Sequence, residues 1–180
     1  MRVILAEKPS VAQSIAAVLG ADQKKNGYLQ GENDLVSWCI GHLIELAPPE
    51  IYDARYAKWR REDLPIVPSA WESVVSDGTK KQFAVLKDLL NRTDVDEVVC
   101  ATDAGREGEL IFRMVYEKTG CTKPVKRLWI SSLEESAIRE GFRSLKPGSA
   151  YDALYRAALC RAQADWLVGI NETRLYSRLY

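Results

Sequence analysis

The sequence predicts an α/β protein in which a parallel sheet of about four strands is covered by helices on both faces. Short apolar runs alternate along the chain with longer segments of helical periodicity. One run, Glu97–Ala101, is continuously apolar after its first residue, as is typical of strands buried on both sides. The chain has 180 residues, of which 47% are hydrophobic, and this is enough for one compact core.

The first half of the chain begins with a strand, a turn and a helix. The strand is Arg2–Ala6, the turn contains Pro9 and Ser10, and the helix that follows them runs to Leu19 and stops at Gly20. Residues 35–43 alternate between large apolar and smaller or polar side chains, which predicts a half-buried strand. Prolines and large aromatics then interrupt any periodicity, so we expect an irregular insertion at about residues 47–79.

The second half repeats the order of strand and helix. The expected elements are a helix at Lys80–Leu90, a strand at Glu97–Ala101, a helix at 107–118, a strand at 125–130, and helices at 134–145 and 150–169. We expect residues 1–150 to form the sheet domain. Residues 151–180 are expected to form a helix and the start of a connection to further domains.

Composition and charge exclude several classes of protein. The chain carries 25 basic and 25 acidic residues, so no net charge attracts it to nucleic acid, and only local basic groups could do so. Candidates in the C-terminal third are Arg127, Arg139, Arg143, Arg156, Arg161, Arg174 and Arg178. The four cysteines are widely spaced and there is one histidine, which argues against a zinc module or a disulfide scaffold.

The apolar segments are too short for a membrane protein. No run reaches the roughly 18 to 20 residues that span a bilayer, and the N-terminus lacks the pattern of a secretory signal. The sequence therefore predicts a cytoplasmic protein without a membrane partner.

Acidic residues directly follow two of the predicted strands. Glu7 follows Arg2–Ala6, and Asp103 and Glu107 follow Glu97–Ala101. Because the carboxyl ends of parallel strands share one edge of a sheet, we expect these three carboxylates in a common crevice. Such a set of oxygen ligands suits Mg²⁺, with Mn²⁺ as the alternative. Taken singly, each acid could instead cap a helix N-terminus.

Five segments resemble, in order, the N-terminal part of type IA DNA topoisomerases of the topoisomerase III group. They are LAEKPSVAQSIA, GHLIELAPPE, ATDAGREGELIFR, KRLWISSLEESAI and RAQADWLVGINETR. The resemblance implies a Toprim domain, which is a Rossmann-like α/β fold, and the cleavage and religation of single-stranded DNA during relaxation or decatenation.

The resemblance also implies that catalysis needs the remaining domains of a parent topoisomerase. The tyrosine that attacks DNA in this family lies in a downstream domain, and none of the eight tyrosines here stands in a similar segment. The chain stops after GINETRLYSRLY, where the family's chain would continue. We therefore expect a part of a longer enzyme that is inactive alone.

Roles for the strand-end residues follow from the same resemblance. Glu7 matches an acid beside the scissile phosphate that acts in general acid/base catalysis and metal binding. Lys8 matches a lysine that stabilises phosphate charge, and Arg106 is expected to contact phosphate. Asp103 and Glu107 match metal-binding acids.

Other site residues depart from the family pattern or lie further along the chain. Gly105 stands where many members have an aspartate, so one metal ligand is missing. Glu109 is a replacement ligand or an outer-shell acid. His42 is expected to be an outer-shell or hydrogen-bonded structural residue at a strand end. Arg161 and Asp165 match positions that line the groove for single-stranded DNA.

Two other classes of function remain open at this stage. A stand-alone Toprim nuclease would use the same acids to activate water, and metal-dependent cleavage by the chain alone would support it. A non-catalytic binding module would keep the fold without needing the acids. Stabilisation by Mg²⁺ that disappears in Glu7→Gln would argue against that module.

Overall fold

The computed structural model describes residues 1–179, and Tyr180 and the side chain of Arg178 lie outside this description. The strands are β1 (Arg2–Ala6), β2 (Gln23–Lys25), β3 (Tyr28–Gln30), β4 (Asp34–Trp38), β5 (Ile44–Leu46), β6 (Ser73–Val75), β7 (Glu97–Ala101), β8 (Val125–Arg127) and β9 (Lys146–Pro147). The helices are α1 (Pro9–Leu19), α2 (Pro49–Tyr52), α3 (Lys80–Leu90), α4 (Arg106–Thr119), α5 (Glu135–Arg143) and α6 (Asp152–Leu179). Single 3₁₀ turns occupy Ala54–Ala57, Arg61–Asp63, Asp77–Thr79 and Gly148–Tyr151.

The main sheet has seven strands in the order β2-β3-β4-β1-β7-β8-β9. Its four central strands, β4, β1, β7 and β8, are parallel, while β2, β3 and β9 add antiparallel edges. The α/β class and the parallel core are thus confirmed, but the expected total of about four strands is too low. The added strands have only two or three residues each, and all three residues of β2 are exposed, so neither length nor an apolar pattern marks these strands in the sequence.

Helices cover both faces of the sheet, as predicted. Val3 and Leu5 of β1 face a cluster formed with α3, α4 and α6, and Ile4 and Ala6 face a cluster formed with α1 and α5. This alternation is the two-residue period of a strand buried on both sides. Helix α6 packs on α4 through Ala158, which is 2% exposed.

Two predicted strands are shorter than expected. The segment 35–43 splits, because β4 ends at Trp38 and Gly41 adopts a φ of +66° before β5 begins. Strand β5 pairs with β6 in a separate antiparallel sheet. The segment 125–130 leaves the sheet after Arg127.

The insertion is fixed to the far half of α6, which continues to Leu179 instead of ending near Gly169. The side chain of Asn171 accepts a hydrogen bond from the main-chain N–H of Ile66 and donates to its carbonyl oxygen (2.6 and 2.9 Å). Arg174 donates to the carbonyl oxygen of Tyr56 (2.8 Å). These contacts show that the last ten residues of α6 pack against the insertion. The helical periodicity of the sequence, which ends near residue 169, does not indicate this packing.

In the part of the chain that the structure describes, no helix is both long enough and apolar enough to cross a membrane.

Candidate active site

Two of the predicted site residues meet at the carboxyl edge of the sheet. Strands β1 and β7 are neighbours in parallel register, with Ala6 opposite Ala101, so the residues that follow them emerge together. The main-chain N–H of Asp103 donates a hydrogen bond to Oε2 of Glu7 (3.3 Å). The first acid is therefore positioned by the turn that carries the second.

The loop after β4 brings His42 close to Glu107 in the first turn of α4. Its Nε2 lies 3.4 Å from Oε2 of Glu107, and the two side chains are 44% and 67% exposed. His42 therefore faces an acid of the site, whereas the sequence favoured a structural hydrogen bond at a strand end. The separation of 65 residues hides this contact from any local pattern.

The three predicted metal-binding carboxylates do not form a ready-made cage. Within residues 1–179, no three His, Cys, Asp or Glu side chains are grouped closely enough to hold a metal ion. The donor chemistry of Glu7, Asp103 and Glu107 still fits Mg²⁺, which commonly binds through one or two carboxylates and completes its shell with water and phosphate.

The segment 102–108, called the acidic turn below, links β7 to the first residues of α4. Its two glycines differ in whether a side chain would fit. A Cβ atom added to Gly105 would meet nothing within 4 Å, and its φ of −179° is an extended conformation that any residue adopts. A Cβ on Gly108 would clash with the carbonyl oxygen of Asp103. Gly108 therefore allows α4 to pack against its own preceding turn, while Gly105 leaves room for a side chain.

Glu109 lies behind the acidic turn and not in the crevice. It is 1% exposed and forms ion pairs with Arg113 and Arg127, each at 3.0 Å. Its suggested role as a replacement metal ligand is therefore wrong, because both carboxylate oxygens are already engaged within the core. Its position remains compatible with an outer-shell role.

Two of the basic residues proposed to contact nucleic acid are buried. Arg127 is 1% exposed and Arg174 is 4% exposed, so neither can contact DNA from its present position. Arg178 lies outside the described side chains. Sequence reasoning missed these burials because arginine is rarely fully buried without partners, and the partners come from distant elements.

The remaining basic candidates are exposed. Lys8 precedes α1 and Arg106 begins α4, and both side chains reach solvent. Arg161 and Asp165 are exposed on α6, with Nε and Oδ2 3.7 Å apart. Among the described residues, no hydrogen bond or ion pair joins this pair to the strand-end acids.

A cleft of about 360 Å³ opens beside Asp103. It lies between α1 and the loop that follows β8, and that loop contributes Ser131 and Ser132. Two thiols, Cys39 and Cys100, are buried in the core on the α3 and α4 face of the sheet, and they are poor nucleophiles. Burial raises the pKa of Cys100 to about 11 and also raises the pKa of Cys39. The polar groups available at this edge are therefore its carboxylates, His42 and the exposed cations.

Residues 2–133 match the Toprim domain family. The chain belongs to this family, whose α/β fold the sheet order and the strand-end acids had indicated.

The similarity extends to particular topoisomerases. The chain is 54% identical over 172 residues to DNA topoisomerase 3 of Bacillus thuringiensis (strain Al Hakam), covering 96% of this chain and 24% of the relative. It is 56% identical over 173 residues to DNA topoisomerase 3 of Shouchella clausii, with 96% and 24% covered. For DNA topoisomerase 3 of Staphylococcus epidermidis the identity is 51% over 178 residues, with 99% and 25% covered. The chain thus spans about a quarter of the length of these relatives.

The fold also matches a solved structure. Full-length topoisomerase I from Thermotoga maritima superposes with a TM-score of 0.62 at 24% sequence identity, over 92% of this chain and 24% of that one. At this identity the match supports the shared fold.

Proposed function

We propose that this chain acts as the Toprim domain of a type IA DNA topoisomerase of the topoisomerase III kind. It supplies the acidic, Mg²⁺-binding part of a site that cuts and rejoins single-stranded DNA during relaxation or decatenation. The observation that carries the proposal is the hydrogen bond between Asp103 and Glu7, which places two acids at the ends of adjacent parallel strands. The high identity to DNA topoisomerase 3 supports it.

The acids divide between proton transfer and metal binding. Glu7 lies at the crevice with one carboxylate oxygen near the Asp103 N–H, and it holds or moves a proton at an oxygen of the scissile phosphate. Asp103 and Glu107, together with Glu7, would hold Mg²⁺ or Mn²⁺. A divalent ion bound there would offset the negative charge of the phosphate. His42 orients Glu107 through their 3.4 Å contact.

Phosphate binding is supported by the start of α1. Its first turn contains no acid and no side chain caps it, so the positive end of the helix is open to a phosphate. Lys8 immediately precedes this helix and Arg106 begins α4. Both cations bind the DNA backbone beside the acids, and Arg161 extends the contact along α6.

The covalent step requires a tyrosine from another domain of the parent protein. The phenol gives its proton to water as its oxygen attacks phosphorus and forms a phosphotyrosine, the bond to the leaving deoxyribose oxygen breaks, and that oxygen takes up a proton. In this proposal, residues of the present chain orient the phosphate and supply the proton. The chain alone therefore neither relaxes DNA nor forms a covalent adduct.

The test uses an end-labelled single-stranded oligonucleotide on a denaturing gel. The proteins are this chain and a chimera in which it replaces its matching segment of the Bacillus thuringiensis relative. We expect Mg²⁺-dependent adducts from the chimera and no product from the chain. An adduct from the chain would overturn the need for other domains, and metal-dependent cleavage without an adduct would favour a nuclease. An inactive but folded chimera would contradict the proposal.

A further inference from the structure

A buried arginine, Arg127, donates hydrogen bonds to the main chain of the acidic turn. The Arg127 side chain is 0% exposed and its Nη1 donates to the carbonyl oxygen of Thr102 (2.8 Å), while Nη2 donates to that of Asp103 (2.7 Å). The same Nη1 donates to the carbonyl oxygens of Cys100 (3.2 Å) and Leu128 (2.7 Å). One guanidinium thus joins the end of β7 and the turn beyond it to β8.

Two carboxylates and a second guanidinium complete this network. Nε of Arg127 donates to Glu109 (3.0 Å), which also accepts from Nε of Arg113 (3.0 Å). Arg113 in turn pairs with Asp152 at the start of α6 (2.8 Å). Burial of a charge is unfavourable unless it is paired and hydrogen-bonded, and here each buried carboxylate oxygen of Glu109 has its own donor.

The turn is held from its other side by α4. Thr102 donates through its hydroxyl to the carbonyl oxygen of Gly108 (2.7 Å), and the close approach of Gly108 to Asp103 leaves no room for a Cβ atom. The guanidinium of Arg127 also lies over the Trp129 ring, 5.0 Å from its centroid. The backbone that carries Asp103 is therefore enclosed by β8, α4 and an aromatic ring.

We propose that Arg127 is a positioning residue for the acidic site. It fixes the carbonyl groups of Thr102 and Asp103, which belong to the two peptide groups flanking the Asp103 α-carbon, so the Asp103 carboxylate and the N–H that contacts Glu7 are in place before metal or DNA binds. Glu109 orients the guanidinium. This inference rests on the proposed function, since the position of Asp103 matters for chemistry only if the acids bind metal.

Lysine at this position preserves the charge but not the geometry. Its single ammonium group has three donors on one atom and cannot span acceptors that Arg127 reaches through three separate nitrogens. Arg127→Lys therefore tests positioning without removing the positive charge that balances Glu109.

Arg174 provides a matched control on α6. It is also buried, donates to a main-chain carbonyl oxygen, that of Tyr56 (2.8 Å), and lies over a tryptophan ring, that of Trp59 (5.2 Å). Its contacts are with the insertion and not with the acidic turn. Arg174→Lys should therefore reproduce the loss of stability of Arg127→Lys without its effect on the site.

The experiment compares wild type, Arg127→Lys and Arg174→Lys. Backbone amide order parameters of residues 102–105 are measured by NMR relaxation, and Mn²⁺ binding by electron paramagnetic resonance. We expect both variants to lower Tm. Only Arg127→Lys should lower the order parameters from about 0.85 towards 0.6, and only it should weaken Mn²⁺ binding by about tenfold or more.

The outcomes separate this inference from the proposed function. If Arg127→Lys does not fold, Glu109→Gln keeps the side-chain volume and should loosen the same turn. Unchanged order parameters in the folded variant, or equal changes in Arg174→Lys, would overturn the inference. If wild type binds no Mn²⁺ at millimolar concentration, the proposed metal site fails, and with it a role for Arg127 in metal binding, whatever the order parameters show.

Discussion

At the scale of single residues, the two glycines of the acidic turn differ in whether they can be replaced. Gly105 is open on the Cβ side and Gly108 is closed by the Asp103 carbonyl oxygen. The sequence shows both as parts of one segment, GREG, and the family resemblance marks only Gly105, where many members have an aspartate. The packing of α4 against its own preceding turn shows that Gly108 is required for the fold, whereas Gly105 leaves room for a side chain.

Gly105→Asp should add a metal ligand without disturbing the fold. Because the site is open and the backbone is extended, we expect the free energy of unfolding to change by less than about 0.5 kcal/mol, as for other surface substitutions. Mn²⁺ affinity should rise. Urea unfolding and Mn²⁺ titration measure both, with Asp103→Asn as the variant that should weaken binding. Unchanged titrations in both variants would sink the proposed metal site.

Gly108→Ala is the matched substitution at the closed position. The added methyl group would force α4 away from the acidic turn, and overpacking of this kind destabilises by roughly 1 to 3 kcal/mol. Urea unfolding of this variant beside Gly105→Asp measures the difference. Equal stability of the two variants would contradict the packing described for the turn.

The cysteines give a prediction about pH. Burial raises the pKa of Cys100 from 9.0 to about 11, so the folded state keeps its thiol proton after the unfolded state has lost it. The contribution to stability is present below pH 9 and is lost as the pH rises towards 11. Urea unfolding between pH 8 and 11 should show this decline, and Cys100→Ala should reduce it. An identical pH dependence in the variant would contradict the assignment.

At the scale of elements, α6 carries the proposed extension of the DNA site. Arg161 is exposed and only loosely paired with Asp165, so its guanidinium is available to a phosphate. Arg139 on α5 offers a comparison, since it is also exposed and also paired with an acid four residues away, Glu135. The two arginines differ in the helix that carries them and therefore in the face of the sheet they occupy.

Arg161→Ala should weaken binding of a single-stranded oligonucleotide at low salt, whereas Arg139→Ala should not. Loss of one phosphate contact should lower the slope of log affinity against log salt by about 0.7 for a single strand. Fluorescence anisotropy of a labelled oligonucleotide at several salt concentrations measures both quantities. If the two variants behave alike, the groove assigned to α6 is misplaced.

The long apolar elements could be predicted from the sequence, while the short polar ones could not. Strands β1 and β7 and helix α3 have the predicted bounds because burial on a packed face imposes a regular apolar period. Helix α1 ends at Leu19 as predicted but begins at Pro9, inside the expected turn. Strands β2 and β9 form because neighbouring strands offer hydrogen-bonding edges, and their own side chains record no such pattern.

In the site, the positions of the strand-end acids could be predicted from the sequence, whereas contacts between distant elements could not. Glu7 and Asp103 could be placed together because each directly follows a strand of one parallel sheet. The contact of His42 with Glu107 and the burial of Arg127 depend on loop paths and on charge partners supplied by distant elements. Such contacts leave no periodic signal in the chain.

At the scale of the whole molecule, the chain covers only part of the proteins it resembles. It spans about a quarter of the length of its relatives named DNA topoisomerase 3. We propose that it contributes the acids and phosphate contacts, while a tyrosine and the means of passing a strand come from the rest of the parent protein. Its role is therefore measurable only when it is joined to those domains.

The central claim is that Glu7 takes part in the chemistry at the scissile phosphate. The most direct test introduces Glu7→Gln into the Bacillus thuringiensis chimera, with the exposed Glu32→Gln as a control for loss of one negative charge. Single-turnover cleavage of an end-labelled oligonucleotide should slow by about 10² to 10⁴-fold in Glu7→Gln, the contribution expected of a general acid or base. Oligonucleotide affinity should stay within about twofold of wild type, and Glu32→Gln should match wild type in both measurements. Cleavage by Glu7→Gln at the rate of Glu32→Gln would contradict the account.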